Sequence, residues 1–384
     1  MFIKGLDYQN GQPIRIEIRD RKISSISSLP ELSGQLPVVA PGLVDLQVNG
    51  YGGIDFNTIP FQIEDIYKSV KLLAGQGITT FYPTLITNTD SAIRQAFQTI
   101  TSACKVYPVL ETAIGGIHLE GPFLSREDGA RGAHSQDLVK QPDWELFQEW
   151  QEIAEGRIRI ITLSPEWEGA SKFIKKCSDS GVIVAIGHTA ATPEQIEEAV
   201  QAGARLSTHL GNAAHLMLPR HPNYIWEQLA QDRLWATVIA DGFHLPDSFL
   251  KVVFRMKPET SILISDCTQF AGLAPGNYKN HIGGEVLLSS EGRLCMAENP
   301  KLLAGSAQSL LWCVNQVITK ELLSFEDAWN KASLKPLELL TSKKRTAFEL
   351  GEPANLVLLD NQGGEIKILK TIIGGEVVFS NPVN

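Results

Sequence analysis

The chain has 384 residues and a net charge of −9, with 43% hydrophobic and 20% charged residues, which is the composition of a folded globular protein. It has no Lys/Arg-rich run that would suit nucleic acid or an anionic membrane, and no apolar stretch long enough to span a bilayer. Because the N-terminus also lacks the apolar core and cleavage site of a signal peptide, we expect a cytoplasmic protein with no nucleic-acid or membrane partner.

Short alternating segments, typical of antiparallel strands, occur at both ends of the chain. Near the N-terminus they are FIKGLDY, PIRIEIRD and KISSISSL, and near the C-terminus they are ANLVLLD, EIKILKTII and EVVFS. Gly, Asn and Pro separate these segments, as expected of turns. The simplest packing is one small β-sandwich domain that both termini build, with residues 1–41 and 346–384 as its two parts.

Between these ends, residues 42–345 alternate apolar runs with helix-like stretches, which is the pattern of repeated βα units. One helix is well marked, with Thr192 as its cap, Pro193 at its first position and Gly203 at its end. Eight such runs favour a (β/α)8 TIM-like barrel over an open, doubly wound α/β sheet. The predicted strands are GLVDLQVNG (42–50), ITTFYPTL (78–85), AIGGIHLEG (113–121), RIRIITLSPE (157–166), GVIVAIGH (181–188), ARLSTHLGN (204–212), WATVIADGFH (235–244) and SILISDC (261–267).

Ionisable residues follow several of the predicted strands. In a barrel the carboxyl ends of all strands converge on one face, where active sites form. Glu120, His188 and His209 end the third, fifth and sixth predicted strands, so they would approach one point from different sides. Two imidazoles and a carboxylate suit one divalent ion, for which we expect zinc, with iron, cobalt or manganese as alternatives.

Asp266 ends the eighth predicted strand and is not needed as a ligand. A metal-bound water supplies hydroxide near neutral pH, so the set predicts hydrolysis. Asp266 would take the proton of that water and return it to a leaving amine. The other interpretation is that Asp266 caps a helix, but the sequence SDCTQFAG contains no obvious long helix.

Several motifs, in order over roughly residues 40 to 310, resemble those of the N-acetylglucosamine-6-phosphate deacetylases, which are amidohydrolases. They are APGLVDLQVNGYGGIDFN, GGIHLEGPFLS followed by GAH, IGHTAATPEQIEEAVQAGA, STHLGNAA, IADGFH, ISDC and LAGS. The flanking β segments also resemble the small domain of that family. The resemblance implies hydrolysis of N-acetylglucosamine-6-phosphate to glucosamine-6-phosphate and acetate.

The resemblance assigns the same metal ligands and the same acid/base as the strand ends do, and it adds further roles. It implies that His134 helps to polarise the acetyl carbonyl. Arg220 is similar in position to an arginine that engages the phosphate, in some members across a dimer interface, so we expect a homodimer. The residues implied to contact the sugar phosphate or to line the sugar pocket are Asn212, Ala213, His244, Ala304 and Gly305.

The first predicted strand carries Gln47 and Asn49 where many amidohydrolases have a His-x-His pair that helps to bind a second metal. Neutral amides are poor ligands for such an ion. No lysine follows the fourth strand to act as a carbamylated bridge. The sequence therefore predicts one tightly bound metal per chain.

The segment HLGNAAHLMLPRHPNYIWEQLA departs from the usual family pattern, with Gly211, Ala214, Asn223 and Trp226 in unusual places. The departure falls where phosphate recognition is expected, so Arg220 could instead lie in an exposed loop without that role. His215 and His221 are expected to be loop or interface residues. Two alternatives therefore stay open: an amidohydrolase acting on an unphosphorylated acetamido sugar or an N-acyl amino acid, and a non-catalytic binding barrel.

Overall fold

The computed structural model describes residues 1–30, 36–280 and 284–381. The strands are β1 (Phe2–Asp7), β2 (Pro13–Arg19), β3 (Lys22–Ser28), β4 (Val38–Pro41), β5 (Leu43–Val48), β6 (Gly50–Tyr51), β7 (Ile54–Asp55), β8 (Ile78–Ile86), β9 (Ile117–Glu120), β10 (Ile158–Leu163), β11 (Ile183–Ile186), β12 (Leu206–Ser207), β13 (Trp235–Ile239), β14 (Ser261–Ile264), β15 (Gly276–Lys279), β16 (Glu285–Leu288), β17 (Leu294–Met296), β18 (Leu356–Asp360), β19 (Lys367–Ile373) and β20 (Glu376–Ser380). The helices are α1 (Ile63–Ala74), α2 (Asp90–Val106), α3 (Leu110–Ala113), α4 (Trp144–Ile153), α5 (Ala170–Asp179), α6 (Pro193–Ala202), α7 (Tyr224–Ala230), α8 (Asp247–Met256), α9 (Leu310–Thr319), α10 (Phe325–Lys331) and α11 (Leu334–Thr341).

Eight parallel strands form the barrel, in the order β5, β8, β9, β10, β11, β12, β13 and β14. The first and last of them meet where Val48 pairs in parallel with Cys267 and where the backbone N–H of Asn49 donates to the Cys267 carbonyl, 2.8 Å away. Each of the eight predicted strands coincides with one of these strands. The prediction of a (β/α)8 barrel is therefore confirmed.

Strands from both ends of the chain form one seven-stranded sheet, in the order β20, β19, β18, β4, β1, β2 and β3. β4 joins the two ends, since it pairs in parallel with β1 and antiparallel with β18. Alternation along β2 buries Ile14, Ile16 and Ile18 on one face, which is the period-2 pattern that predicted the strand. The small domain built by both termini is confirmed, whereas its limits at residues 41/42 and 345/346 stay a prediction.

Helices cover the outside of the barrel through amphipathic faces. The predicted helix is α6, in which the Thr192 side chain accepts from the backbone N–H of Gln195, Pro193 is the first residue and Gly203 ends the helix at a φ of 116°. Its buried residues, such as Ile196 and Val200, lie four apart and face the barrel. Among the described residues, no helix has the length and apolarity needed to cross a membrane.

A three-stranded antiparallel sheet, β15 to β17, is inserted between β14 and α9 and was not predicted from the sequence. Its first strand, GNYK, has neither β-branched residues nor a buried face, so the alternation that marks other strands is missing. The inserted sheet has a small core of its own, which includes Phe270, Val286 and Leu294.

Trp329 connects the barrel to the terminal sheet and provides a test of this architecture. The residue lies in α10, is fully buried and donates through Nε1 to the Pro41 carbonyl of β4, 2.9 Å away. Since removal of a buried tryptophan leaves a cavity, Trp329→Ala should lower the free energy of unfolding by about 3–5 kcal/mol in urea titrations. Leu350→Ala is the control, because that side chain is 65% exposed. Equal effects of the two changes would contradict the architecture.

Candidate active site

Glu120, His188 and His209 meet at the carboxyl ends of β9, β11 and β12. Glu120 Oε1 lies 3.0 Å from His209 Nε2 and 3.2 Å from His188 Nε2, and the two Nε2 atoms are 3.1 Å apart. All three side chains are buried. The three predicted ligands are thus brought to one point, although their role as ligands stays a prediction.

The hydrogen-bonding partner of His188 determines which of its ring nitrogens carries the proton. Its Nδ1 lies 3.2 Å from the Arg131 carbonyl, which can only accept, so Nδ1 carries the proton. In the neutral ring Nε2 then carries a lone pair instead of a proton. This lone pair faces Oε1 of Glu120 and Nε2 of His209. Acceptors cannot face each other at such distances without a proton or a cation among them, so the donor set fits a divalent ion.

Opposing effects act on the Glu120 carboxyl. Burial raises its pKa, but the imidazoles of His188 and His209, which would donate to the carboxylate in their protonated forms when no cation is bound, outweigh burial and hold the pKa well below the ordinary value. The carboxyl is therefore ionised over the working pH range. A buried carboxylate needs a compensating positive charge, which a bound cation would provide.

His134 lies against the same cluster. Its Nε2 is 3.3 Å from His188 Nε2, and its ligand atom and those of Glu120 and His188 lie within 4.8 Å of one another. Its Nδ1 is 2.9 Å from the hydroxyl of Thr87. Burial lowers the pKa of His134 to about 3, so its imidazole is neutral. It is close enough to contact either a bound ion or an oxygen of a molecule held there.

The two amides of the first barrel strand each hold a carboxylate of the site. Gln47 Nε2 donates to Glu120 Oε1 over 2.9 Å, and Asn49 Nδ2 donates to Asp266 Oδ1 over 2.7 Å. A carboxylate only accepts, so each amide must present its nitrogen. The sequence predicted that these residues are not ligands, but it gave no sign that they orient the two carboxylates.

Asp266 follows β14, with a φ of 48°, and lies close enough to Glu120 to be affected by its charge. Burial, together with the charge of Glu120, raises the pKa of Asp266 to about 7. A group with this pKa gains and loses a proton readily near neutral pH, as an acid/base requires. No helix begins at Asp266, so the alternative of a helix cap does not apply.

A chain of hydrogen bonds, each with a defined donor and acceptor, lies beneath the predicted ligands. The sequence analysis did not predict it. His118 Nδ1 donates to the Leu46 carbonyl over 3.1 Å, which leaves Nε2 to accept from the Thr162 hydroxyl over 2.7 Å. Thr162 in turn accepts from the hydroxyl of Thr208, 2.7 Å away. Burial lowers the pKa of His118 to about 4, so the ring is neutral. Its position two residues before Glu120, on the same strand face, was the available signal.

The predicted substrate-binding residues lie in several loops around the site. Asn212 and Ala213 line a small cavity beside His188, and the buried Nδ2 of Asn212 has no partner within the described residues. Ala304 and Gly305 precede Ser306, whose carbonyl accepts from the backbone N–H of Thr268 over 2.9 Å. That bond holds their loop beside the segment that follows Asp266.

Arg220, His215 and His221 of the departing segment do not line this cavity, although Tyr224, which His215 contacts, does. Arg220 is exposed and makes no ion pair within the part of the chain that is described. His215 contacts the Tyr224 hydroxyl over 2.9 Å and Glu127 over 3.1 Å, and His221 is exposed. The structure therefore brings Asn212 and Ala213 to the site but does not bring Arg220 there within one chain.

Comparisons with known proteins show the family of the chain. Residues 38–378 match the amidohydrolase family. The N-acetylglucosamine-6-phosphate deacetylase of Bos taurus is 33% identical over 366 residues, which cover 89% of this chain and 83% of that protein. The Bacillus subtilis (strain 168) protein of the same name is 30% identical over 376 residues, covering 95% and 92%.

A solved structure extends the comparison to three dimensions. An alanine variant of the N-acetyl-D-glucosamine-6-phosphate deacetylase of Mycobacterium smegmatis, in complex with N-acetyl-D-glucosamine-6-phosphate, matches with a TM-score of 0.85. The identity is 25%, and 99% of each chain is covered.

The acceptor cluster predicts one divalent ion per chain. Gln47 and Asn49 present N–H groups, which leaves no second ligand set on the first strand. Metal analysis of protein purified without chelator should give a stoichiometry near one, and chelation should lower Tm because the acceptors would then repel each other. His188→Ala should lower the metal content, whereas His215→Ala, a change in the outer loop, should not. A stoichiometry near two would refute the mononuclear site.

Proposed function

Since the chain belongs to the amidohydrolase family, and within it to the N-acetylglucosamine-6-phosphate deacetylases, we propose that it hydrolyses the acetamide of N-acetylglucosamine-6-phosphate. The products are glucosamine-6-phosphate and acetate. The observation that carries the proposal is the buried group of facing acceptors on Glu120, His188 and His209, with an aspartic acid of raised pKa beside it.

Residues of the chain divide the work of this reaction. The chemistry supplied by a divalent ion in this cluster is a water of lowered pKa and a polarised acetyl carbonyl. Asp266 takes the proton of the attacking water and then gives it to the nitrogen of the leaving amine, so that the C–N bond breaks. Asn49 occupies one oxygen of Asp266, so the other oxygen exchanges the proton.

His134 acts on the carbonyl oxygen in this proposal. The Thr87 hydroxyl can donate to Nδ1 of its neutral ring, which leaves a proton on Nε2. Nε2 faces the ligand cluster, so its N–H can donate to an oxygen that develops negative charge in the transition state.

The metal, the assembly and the location are also part of the proposal. Two imidazoles and one carboxylate with an open position are a ligand set common for catalytic zinc. A homodimer is supported by the exposure of Leu216, Met217 and Trp226, which are 99%, 88% and 52% exposed. A reducing cytoplasm is supported by five free, buried cysteines. Metal analysis and sedimentation velocity test the first two points.

One observation favours a second candidate, hydrolysis of an unphosphorylated acetamido sugar or an N-acyl amino acid. Arg220, the predicted phosphate ligand, is exposed and lies in the segment that departs from the family pattern. Acetate release should be compared on N-acetylglucosamine-6-phosphate, N-acetylglucosamine and acyl amino acids. Preference for either of the last two would favour the second candidate.

Asp266→Asn should retain the metal but lower turnover by about 10²- to 10⁴-fold, because the acid/base is lost while the ligands remain. Turnover and metal content are measured on the same preparation. Asp179→Asn is the control, since that carboxylate lies in an exposed pair with Lys175. Loss of the metal from Asp266→Asn would instead make Asp266 a ligand.

Arg220→Ala tests phosphate recognition. If the guanidinium binds the phosphate, the change should weaken binding of the phosphorylated substrate by about ten- to a hundredfold, the usual range for a charge-assisted bond. KM for phosphorylated and unphosphorylated sugars is the measurement. Arg233→Ala is the control, because Arg233 is exposed just before β13, at the opposite end of the barrel. Equal loss on both sugars would exclude this role for Arg220.

A further inference from the structure

Glu166 follows β10 and bonds to the loops that follow both neighbouring barrel strands. Its Oε1 accepts from the Ser125 hydroxyl, 2.9 Å away, in the loop after β9. Its Oε2 accepts from the backbone N–H of Ala190 over 2.9 Å, in the loop after β11, and from the Ser164 hydroxyl over 2.7 Å. Ser125 and Ser164 are fully buried, so their hydroxyls have no solvent to bond instead. One carboxylate therefore joins three consecutive loops at the carboxyl end of the barrel.

The loop after β11 carries His188, and the two residues that follow His188 are both held by this network. Ala190 donates to Glu166 directly. Thr189 Oγ1 lies 2.8 Å from Ser164 Oγ, and because Ser164 gives its only hydroxyl proton to Glu166, Thr189 is the donor in that contact. His188 has a left-handed φ of 48°, which a residue with a side chain keeps only where the surrounding structure fixes it.

The loop after β9 carries Arg131, whose carbonyl accepts from Nδ1 of His188. The Ser125 hydroxyl, which donates to Glu166, also accepts from the backbone N–H of Glu127 over 3.1 Å. The Glu127 carbonyl accepts in turn from the backbone N–H of Arg131 over 2.9 Å. Hydrogen bonds in series therefore connect Glu166 to the carbonyl that fixes the proton of His188.

Both arms of the network meet at His188. The backbone N–H of Ser125 donates to the His188 carbonyl over 2.9 Å, while the Arg131 carbonyl lies 3.2 Å from Nδ1. The hydrogen bond at one ring nitrogen sets the tautomer and the direction of the other. A shift of either loop would lengthen the bond at Nδ1 and turn Nε2 away from the carboxylate of Glu120.

We propose that Glu166 is a positioning residue that sets the orientation of His188 towards a bound divalent ion, by holding the loops after β9 and β11 to one carboxylate. The inference rests on the proposed function and deepens it, since it names a residue outside the ligand cluster on which metal affinity depends. Glu166 supplies acceptor geometry rather than charge. Its Oε2 position must be an oxygen because the Ala190 N–H only donates, whereas its Oε1 position faces a hydroxyl, which can donate or accept.

Glu166→Ala removes both acceptors. The dissociation constant for Zn²⁺, measured on the folded protein by competition with a chromogenic chelator, should rise by about tenfold. This is the lower end of the range for partners of metal ligands, because Glu166 acts through Arg131 and not on His188 itself. Glu166→Gln should keep the wild-type constant, since its amide can place the oxygen at Ala190 and the nitrogen at Ser125. Equal losses in the two variants, or no loss in Glu166→Ala, would overturn the proposal.

Glu168→Ala is the matched control. Glu168 is an exposed glutamate of the same loop, and its contact to the Gln141 amide is made by the backbone carbonyl, which the substitution keeps. It should leave the Zn²⁺ constant unchanged. A role of Glu166 in stability alone would lower Tm but would likewise leave the constant of the folded protein unchanged.

Ser125→Ala provides a second variant in case Glu166→Ala does not fold. It removes the hydroxyl that links Glu166 to Glu127 but keeps the backbone N–H that donates to His188. The Zn²⁺ constant should rise in the same direction as in Glu166→Ala. An unchanged constant would contradict the proposed path from Glu166 to Arg131.

The Nδ1–H resonance of His188 in ¹H–¹⁵N spectra tests the proposal without turnover or metal. This proton is protected from exchange while it is bonded to the Arg131 carbonyl, and its signal is identified by its absence in His188→Gln. The signal should be present in the wild type and in Glu166→Gln and lost in Glu166→Ala. Its absence from the wild type, or its persistence in Glu166→Ala, would overturn the proposal.

His244, in the loop after β13, provides an internal reference in the same spectra. Its Nδ1 lies 2.7 Å from Asp241 Oδ2, so its own protected proton should persist in every folded variant. If the wild type binds no Zn²⁺, the proposed metal-dependent hydrolysis fails. The His188 signal of the metal-free protein still decides the role of Glu166, so the two failures are distinguishable.

Discussion

The site depends on one electrostatic constraint: a carboxylate oxygen and two imidazole nitrogens face each other at 3.0 to 3.2 Å in a buried position. Nothing in Glu120, His188 or His209 alone demands an ion, since each could be a hydrogen-bonded side chain of the barrel. The demand arises because the Arg131 carbonyl fixes the proton of His188 on Nδ1 and so turns its lone pair inward. The fold holds these acceptors together, and a cation stabilises the arrangement.

The barrel maintains this arrangement in two ways. The chain from Thr208 through Thr162 to His118 links the end of β12 to β10 and β9 under the predicted ligands, so the relative height of these strands is fixed by hydrogen bonds as well as by the sheet. Above it, His188, His209 and Asp266 all have left-handed backbone, with φ of 48°, 30° and 48°. Such conformations cost of order 1–3 kcal/mol each in non-glycine residues and are kept where the surrounding structure fixes them.

Residue pattern was sufficient for the barrel and for choosing four residues that the structure brings together at its carboxyl end. Apolar runs located all eight barrel strands, and the rule that strand ends converge on one face selected Glu120, His188, His209 and Asp266. The inserted sheet β15 to β17 was not found, because its strands are only three or four residues long and the first of them has no buried face. The residue pattern also did not predict which side chains bond to each other. Asn49 donates to Asp266, 217 residues away in the sequence, because the barrel closes there, and no local signal marks this contact.

The amides of the first strand show how one strand can set both the metal number and the acid/base of such a site. A histidine at position 47 or 49 would present a lone pair to the centre, whereas Gln47 and Asn49 present N–H groups to the carboxylates. With Gln47 and Asn49 in place of two histidines, no second metal ion would be held beside Asp266. Burial and the charge of Glu120 then decide its state and raise its pKa to about 7. A second ion near Asp266 would favour the ionised carboxylate and lower that pKa. In the mononuclear centre that we propose, no second ion would lower the pKa of Asp266, which fits its proposed role of passing a proton to the leaving amine.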